Sequence, residues 1–251
     1  MGRVQAVIFD LDDTMYPERQ FAHSGFAAVA REFGAKLHAG FDVEARMRQL
    51  LDSPDRGRVF NIIVAEAGIA EAEAVKLAPM MIETYRCHKP TLTPYPDALP
   101  AIRAAREKYA VGMITDGPVE VQSAKIDALH LRELIPEIVI TGVWDRQFWK
   151  PHPCAFEEMA RRLAVPHEGC VYVADNLSKD FVAPNALGWL TVHVRRPDGI
   201  YIDKTPPPGG EPRVSIETLD ELAGLLPDPD GPPLTRRSKG GPGGAGACSH
   251  G

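Results

Sequence analysis

None of the four cysteines, Cys87, Cys154, Cys170 and Cys248, stands in a CxxC pair or a close cluster. That spacing argues against a disulfide framework and a zinc site, and free thiols in a reducing compartment are expected. No stretch approaches the roughly 18 uninterrupted apolar residues of a membrane span. The first ten residues, MGRVQAVIFD, lack the apolar core of a secretory leader, so a cytoplasmic location is expected. Basic residues are not in excess either: 28 Lys and Arg against 34 Asp and Glu leave a net charge of -6. A broad surface for a nucleic acid polymer is therefore not expected, although a local cluster of donors can still bind a small anion.

Length and composition do allow a substantial core, in one large domain or two smaller ones. The organising stretch is VQAVIFDLDDT, residues 4–14. Its apolar run suits a strand buried on both faces of a parallel sheet. The run ends in Asp10, Asp12 and Asp13, then Thr14. Carboxylates crowded at a strand end repel one another and are costly to desolvate, which a divalent cation relieves. An exposed acidic turn capping a helix is the plainer alternative.

The rest of the chain alternates in pattern. A loop is expected after Thr14, broken by Pro17. Helices are expected over 24–37, 42–51, 58–67 and 71–87, together forming a small bundle with its own core. Pro90, Pro94 and Pro96 mark a stiff return segment. Helices over 97–108, 119–129, 153–163 and 178–187 then alternate with strands over 110–115, 137–141, 169–175 and 190–194. Such alternation predicts a Rossmann-like α/β core, a parallel sheet with helices on both faces, plus an inserted α-helical cap. The expected partition is a core of residues 1–16 and 90–203, a cap over 17–89 and an extension over 204–226 carrying one short helix. Residues 227–251, rich in Gly and Pro, are expected to be disordered.

In such sheets ligands sit at the carboxyl ends of the strands. Candidate polar residues recur there. Asp10 and Asp12 follow the first strand. Thr115, Asp116 and Gly117 follow the second, where a hydroxyl and backbone N–H groups at a helix start suit an anion. Lys150 lies in a restrained turn before Pro151, and Asp175 ends a later strand with Asp180 five residues on. Each has a dull explanation, as a helix cap, a surface lysine or a turn residue. Their recurrence in order argues against coincidence.

With DLDDT (10–14), ITDG (114–117), WKP (149–151) and VADNLSKD (173–180), the chain resembles the haloacid dehalogenase superfamily over residues 4–194. Within it, the resemblance is to phosphatase-like hydrolases with a helical cap after the first motif. Ala174 departs from the Gly frequent at that position. The resemblance implies a Mg²⁺-dependent phosphomonoester hydrolase working through an aspartyl-phosphate. Asp10 would be the nucleophile and Asp12 the general acid and base, its pKa raised by its neighbour. Thr115, Asp116 and Gly117 would hold the phosphoryl oxygens, and Lys150 would neutralise charge. Asp10, the Asp12 carbonyl and Asp175 would bind Mg²⁺, with Asn176 and Asp180 orienting ligand waters and Lys150.

The implied partner is a small phosphorylated metabolite, a sugar phosphate or nucleoside monophosphate, acted on by a monomer or homodimer. The second carboxylate, Asp12, favours phosphate esters over organohalides. A β-phosphoglucomutase-like phosphomutase and a non-catalytic phosphate-binding scaffold remain as alternatives. Tyr16, Arg19, Gln20 and Phe21 are candidate specificity residues facing the cleft. Asp13 is expected to hold backbone N–H groups, and Lys125 to lie on an exposed helix face. Trp144, Phe148 and Trp149 are divided between pocket entrance and core. His23, His88 and His152 show no metal-ligand spacing.

Overall fold

The computed structural model describes residues 3–226, so the expectation for residues 227–251 and for Cys248 lies outside the described residues. Strand β1 (Ala6–Phe9) is the centre of the sheet and is buried throughout. Side chains alternate across a strand. Val7 and Phe9 accordingly join one apolar cluster, while Ala6 and Ile8 join another on the opposite face.

Helix α1 (Glu18–Leu37) follows directly. It starts earlier than residue 24 for a local reason. Pro17 precedes the first helical residue, where its fixed φ costs nothing, and the Asp13 carboxylate accepts from the Glu18 N–H at 2.7 Å. Helices α2 (Val43–Leu51), α3 (Val59–Glu66) and α4 (Glu71–Cys87) complete a helical layer. Its separate core is built from Phe26, Phe33, Leu37, Met47, Ile63 and Met81. The chain returns beside its point of departure, the Tyr95 N–H donating to the Met15 carbonyl at 2.9 Å.

Helix α5 (Ala98–Arg106) leads into β2 (Ala110–Thr115), then α6 (Val119–Ala128) and β3 (Glu137–Ile140). Helix α7 (Cys154–Leu163), β4 (Cys170–Ala174), α8 (Val182–Ala186) and β5 (Leu190–Val194) follow. Helices α5 and α6 supply Ala98, Ile102, Val121 and Ile126 to the Val7–Phe9 face; α7 and α8 supply Phe156, Met159 and Ala183 to the other. A short strand β6 (Val214–Ile216) extends the sheet, and α9 (Leu222–Leu225) closes the described chain.

The six strands are parallel in the order β3-β2-β1-β4-β5-β6. Strand order reverses about β1, so a crevice opens at the carboxyl ends of β2, β1 and β4. This is the Rossmann-like α/β core with an inserted helical layer.

Two expectations need correction. A helix over 178–187 shrinks to Val182–Ala186, because the Asn176 side chain accepts from both the N–H and hydroxyl of Ser178. The Asp180 carboxylate also accepts from the Asn176 N–H, and such local bonds compete with helix. The sixth strand, at three residues, is too short to show a period. No helix among the described residues is long and apolar enough to cross a membrane.

Candidate active site

The strand ends converge on a cavity of about 350 Å³. Asp10, Asp12, Thr115, Asp116, Lys150, Asp175 and Asn176 line it. The Lys150 Nζ lies 2.7 Å from Asp10 Oδ1, 2.7 Å from Asp180 Oδ1 and 3.0 Å from the Tyr172 hydroxyl. Burial opposes a charge on Lys150, but Asp10 and Asp180 outweigh it and hold its pKa well above the usual lysine value.

Oxygens of Asp10, Asp175 and Asp180 all lie within 4.8 Å of one another, and all three residues are buried. Burial pushes the Asp10 carboxyl up to about 7 despite Lys150, with Asp180 adding to the rise. Burial, then the charges of Asp180 and Asp10, push Asp175 well up too. Buried acids this crowded suit a hard divalent cation with oxygen ligands, and the residues fit Mg²⁺. Asp180 is already engaged by Lys150 and the Asn176 N–H. Asp10 and Asp175 are the freer pair, Asp175 accepting only a 3.3 Å bond from the Thr14 hydroxyl among the bonds described.

Asp12 departs from expectation. Burial pushes its carboxyl up, but the ammonium of Lys125 and bonds from Tyr16 and Gln122 hold it below the usual value. The neighbouring acid does not dominate, because Asp12 faces donors on α1's approach and on α6 instead. Lys125 is likewise not on an exposed face: it is buried, with its Nζ 2.8 and 2.9 Å from the two Asp12 oxygens.

Thr115 is buried at the end of β2 and accepts from Gln122. Gly117 has φ 146°, and a Cβ there would meet Gln122 at 2.9 Å, so the turn needs glycine. The Asp116 carboxylate is occupied. It accepts from the Thr141 hydroxyl at 2.9 Å, from the Lys150 N–H at 3.2 Å and from Lys179 at 2.7 Å. It therefore braces the Lys150 turn, and only its backbone is available to an anion. Asp13 (φ 50°) does hold backbone, accepting from Glu18 N and Ile200 N, each at 2.7 Å.

The four residues after the first motif are placed variously. Tyr16 is buried and donates to Asp12 at 2.5 Å. Phe21 is buried beneath Lys125, whose Nζ lies 4.6 Å from its ring centre. Arg19 turns away to Asp52 and the Asp198 carbonyl. Gln20 accepts from the Thr93 N–H and borders a separate groove with His23 and His88. None of the four lines the acidic cavity. Glu18, Arg146, Trp149, Lys179 and Tyr201 do. Burial, then Asp12, pushes the Glu18 carboxyl up to about 8. Trp149 and Lys179 fall inside the WKP and VADNLSKD motifs and Glu18 opens α1, whereas Arg146 and Tyr201 stand outside every motif and periodic segment. Trp144 packs in the core.

A family model for haloacid dehalogenase-like hydrolases matches residues 4–188. The chain belongs to this family. Among the haloacid dehalogenase-like hydrolases it is similar to a glyceraldehyde 3-phosphate phosphatase of Methanopyrus kandleri. The two are 31% identical over 235 residues, covering 88% of this chain and 99% of that one. It is also 25% identical to an N-acylneuraminate-9-phosphatase of Rattus norvegicus, over 90% of this chain and 95% of the other. The fold matches the HAD-hydrolase YfnB of Bacillus subtilis, solved bound to magnesium, with a TM-score of 0.65 at 18% identity. That likeness covers 90% of this chain and 99% of the other. This haloacid dehalogenase-like chain is thus a phosphatase-like hydrolase.

Proposed function

We propose that the protein hydrolyses a small phosphate monoester, a sugar phosphate or nucleoside monophosphate, through an aspartyl-phosphate on Asp10. The observation that carries this is the pairing of Asp10 with a buried ammonium, Lys150, in a cavity of about 350 Å³ that also contains Asp12. A cavity of that size suits a metabolite and not a folded phosphoprotein. Relatives named as glyceraldehyde 3-phosphate and N-acylneuraminate-9-phosphate enzymes support the sugar-phosphate class.

In this reading Asp10 attacks phosphorus, and Lys150 offsets charge on both the carboxylate and the phosphoryl group. Thr115 and the backbone N–H groups of Asp116 and Gly117 hold the non-bridging oxygens. Asp12 gives a proton to the leaving oxygen and takes one back from the hydrolytic water. Its low pKa in the free protein suits the second role. An arriving phosphate dianion favours the protonated form needed for the first. Asp10, the Asp12 carbonyl and Asp175 would hold Mg²⁺, which supplies further neutralisation of phosphoryl charge. Asn176 and Asp180 support that set, and residues 17–89 act as a cap that excludes water from the ester.

The test is phosphate release from a panel holding glyceraldehyde 3-phosphate, N-acylneuraminate 9-phosphate, hexose phosphates and nucleoside monophosphates, with Mg²⁺. Free phosphate without isomerised ester, followed by ³¹P NMR, supports hydrolysis; isomerised hexose phosphate points to a mutase instead. Replacing Asp10 by Asn is expected to lower turnover by about three orders of magnitude or more. Near wild-type turnover of that variant removes Asp10 from the mechanism.

A further inference from the structure

Lys125 is 4% exposed and, among the described residues, pairs with one carboxylate, that of Asp12. Its Nζ sits between both Asp12 oxygens, at 2.8 and 2.9 Å, and above the Phe21 ring. Three residues earlier on α6, Gln122 donates to Asp12 Oδ2 at 3.0 Å and to the Thr115 hydroxyl oxygen. The Tyr16 hydroxyl completes the set on Oδ1. An ammonium taken out of water is costly unless it is paired and bonded. Lys125 does not line the cavity, so contact with substrate does not explain its burial. Among the described residues its one charged partner within bonding distance is Asp12.

We propose that Lys125 is a positioning residue: its two-point ion pair, assisted by Gln122, fixes the Asp12 carboxyl where it can exchange a proton with the ester oxygen. This rests on the reading of Asp12 given above. In the first half-reaction an Asp10 oxygen bonds to phosphorus and the ester P–O bond breaks. The electron pair stays on the leaving oxygen, which takes the proton from Asp12. In the second, water bonds to phosphorus, its proton passes to Asp12, and the bond to Asp10 breaks. A carboxyl free to rotate would perform neither transfer well, because proton transfer demands hydrogen-bond reach.

The role has a signature that structural support lacks. An alkoxide leaves poorly without a proton, whereas 4-nitrophenolate leaves without one. Loss of Asp12 positioning slows the water step for both esters, but lowers kcat/KM, which reports only the steps up to departure of the leaving group, selectively for alkyl esters; general weakening of the fold lowers kcat/KM for both alike. The experiment measures kcat and KM for 4-nitrophenyl phosphate and for the fastest sugar phosphate of the panel in wild type, Lys125→Met, Lys125→Arg and Asp12→Asn. Asp12→Asn is expected to lower kcat/KM for the sugar phosphate by about 10²–10⁴-fold, and far less for the nitrophenyl ester. Lys125→Met is expected to share that selectivity in kcat/KM, at about tenfold or more, and Lys125→Arg to recover part of it. An equal fall in kcat/KM for both esters in Lys125→Met, or none, overturns the inference while Asp12→Asn stays selective. If Asp12→Asn itself shows no selectivity, the reading of Asp12 fails. Should Lys125→Met not fold, Lys125→Gln is read for the same ratio.

Discussion

Lys150 and Asp10 stand 140 residues apart in the chain and 2.7 Å apart in space. The same ammonium reaches Asp180, so one cation serves two buried acids. Removing one partner of a buried pair leaves the other uncompensated. Lys150→Met is expected to destabilise the protein by about 3–5 kcal/mol as well as abolish turnover. Urea denaturation checks the first, and a loss below about 1 kcal/mol contradicts this account of the site.

Metal binding should act on stability apart from catalysis. Any ligand that binds only the folded state stabilises it, by about 2.7 kcal/mol at a hundred times its Kd. Mg²⁺ is expected to raise Tm and EDTA to reverse the rise, with activity following. In Asp175→Asn the Mg²⁺-dependent rise should vanish. A rise that persists places the ion elsewhere.

Asp97 and Arg196 form a second buried pair, with bonds at 2.8 and 2.9 Å, and Asp97 also accepts from the Leu219 N–H. Burial pushes Asp97 up, but Arg196 and the Leu219 N–H outweigh it and hold the carboxyl below its usual value. The folded form therefore binds this proton less readily than the unfolded chain. The resulting stability is complete above the unfolded pKa of about 3.9 and is lost as pH falls through the folded value. Arg196→Met should lower stability at pH 7, and its deficit should narrow in acid. A deficit independent of pH down to about 3 argues against the linkage.

Gly142 tests the Thr115–Gly117 turn from outside it. A Cβ there would strike the Gly117 carbonyl oxygen and lie 2.9 Å from the Val119 nitrogen. Gly142→Ala must displace the segment that presents Thr115 and Gly117. A displacement near 1 Å in such a site costs about 10²-fold in rate. Activity is expected to fall far more steeply than Tm, and a variant with unchanged kcat/KM shows that the turn absorbs the shift.

The fold was legible because its strands are short apolar runs that end in polar turns, and helices of ordinary length separate them. The helix over 71–87 and the strands over 110–115 and 190–194 match the pattern closely. Asp10, Thr115 and Asp175 were legible for the same reason, since each ends or directly follows a strand, and Lys150 through its place in the WKP turn. Lys125 was not. A lysine in a polar helix reads as solvated, and the carboxylate that draws it inward lies 113 residues away. The pKa of Asp12 was misjudged for the same cause: its near neighbour in sequence is an acid, while its neighbours in space are donors. Arg146 and Tyr201 sit outside every motif and periodic segment, and Lys179, though inside the VADNLSKD motif, is turned into the cavity by Asp116, 63 residues away.

The bond between Met15 and Tyr95 fixes the two points where residues 16–94 leave and rejoin the sheet. A long excursion whose ends already touch adds little closure entropy, since that cost grows only with the logarithm of length. The six strands therefore need not register how many helices lie in between. An excursion of another size, fastened at the same two points, would leave their pairing intact.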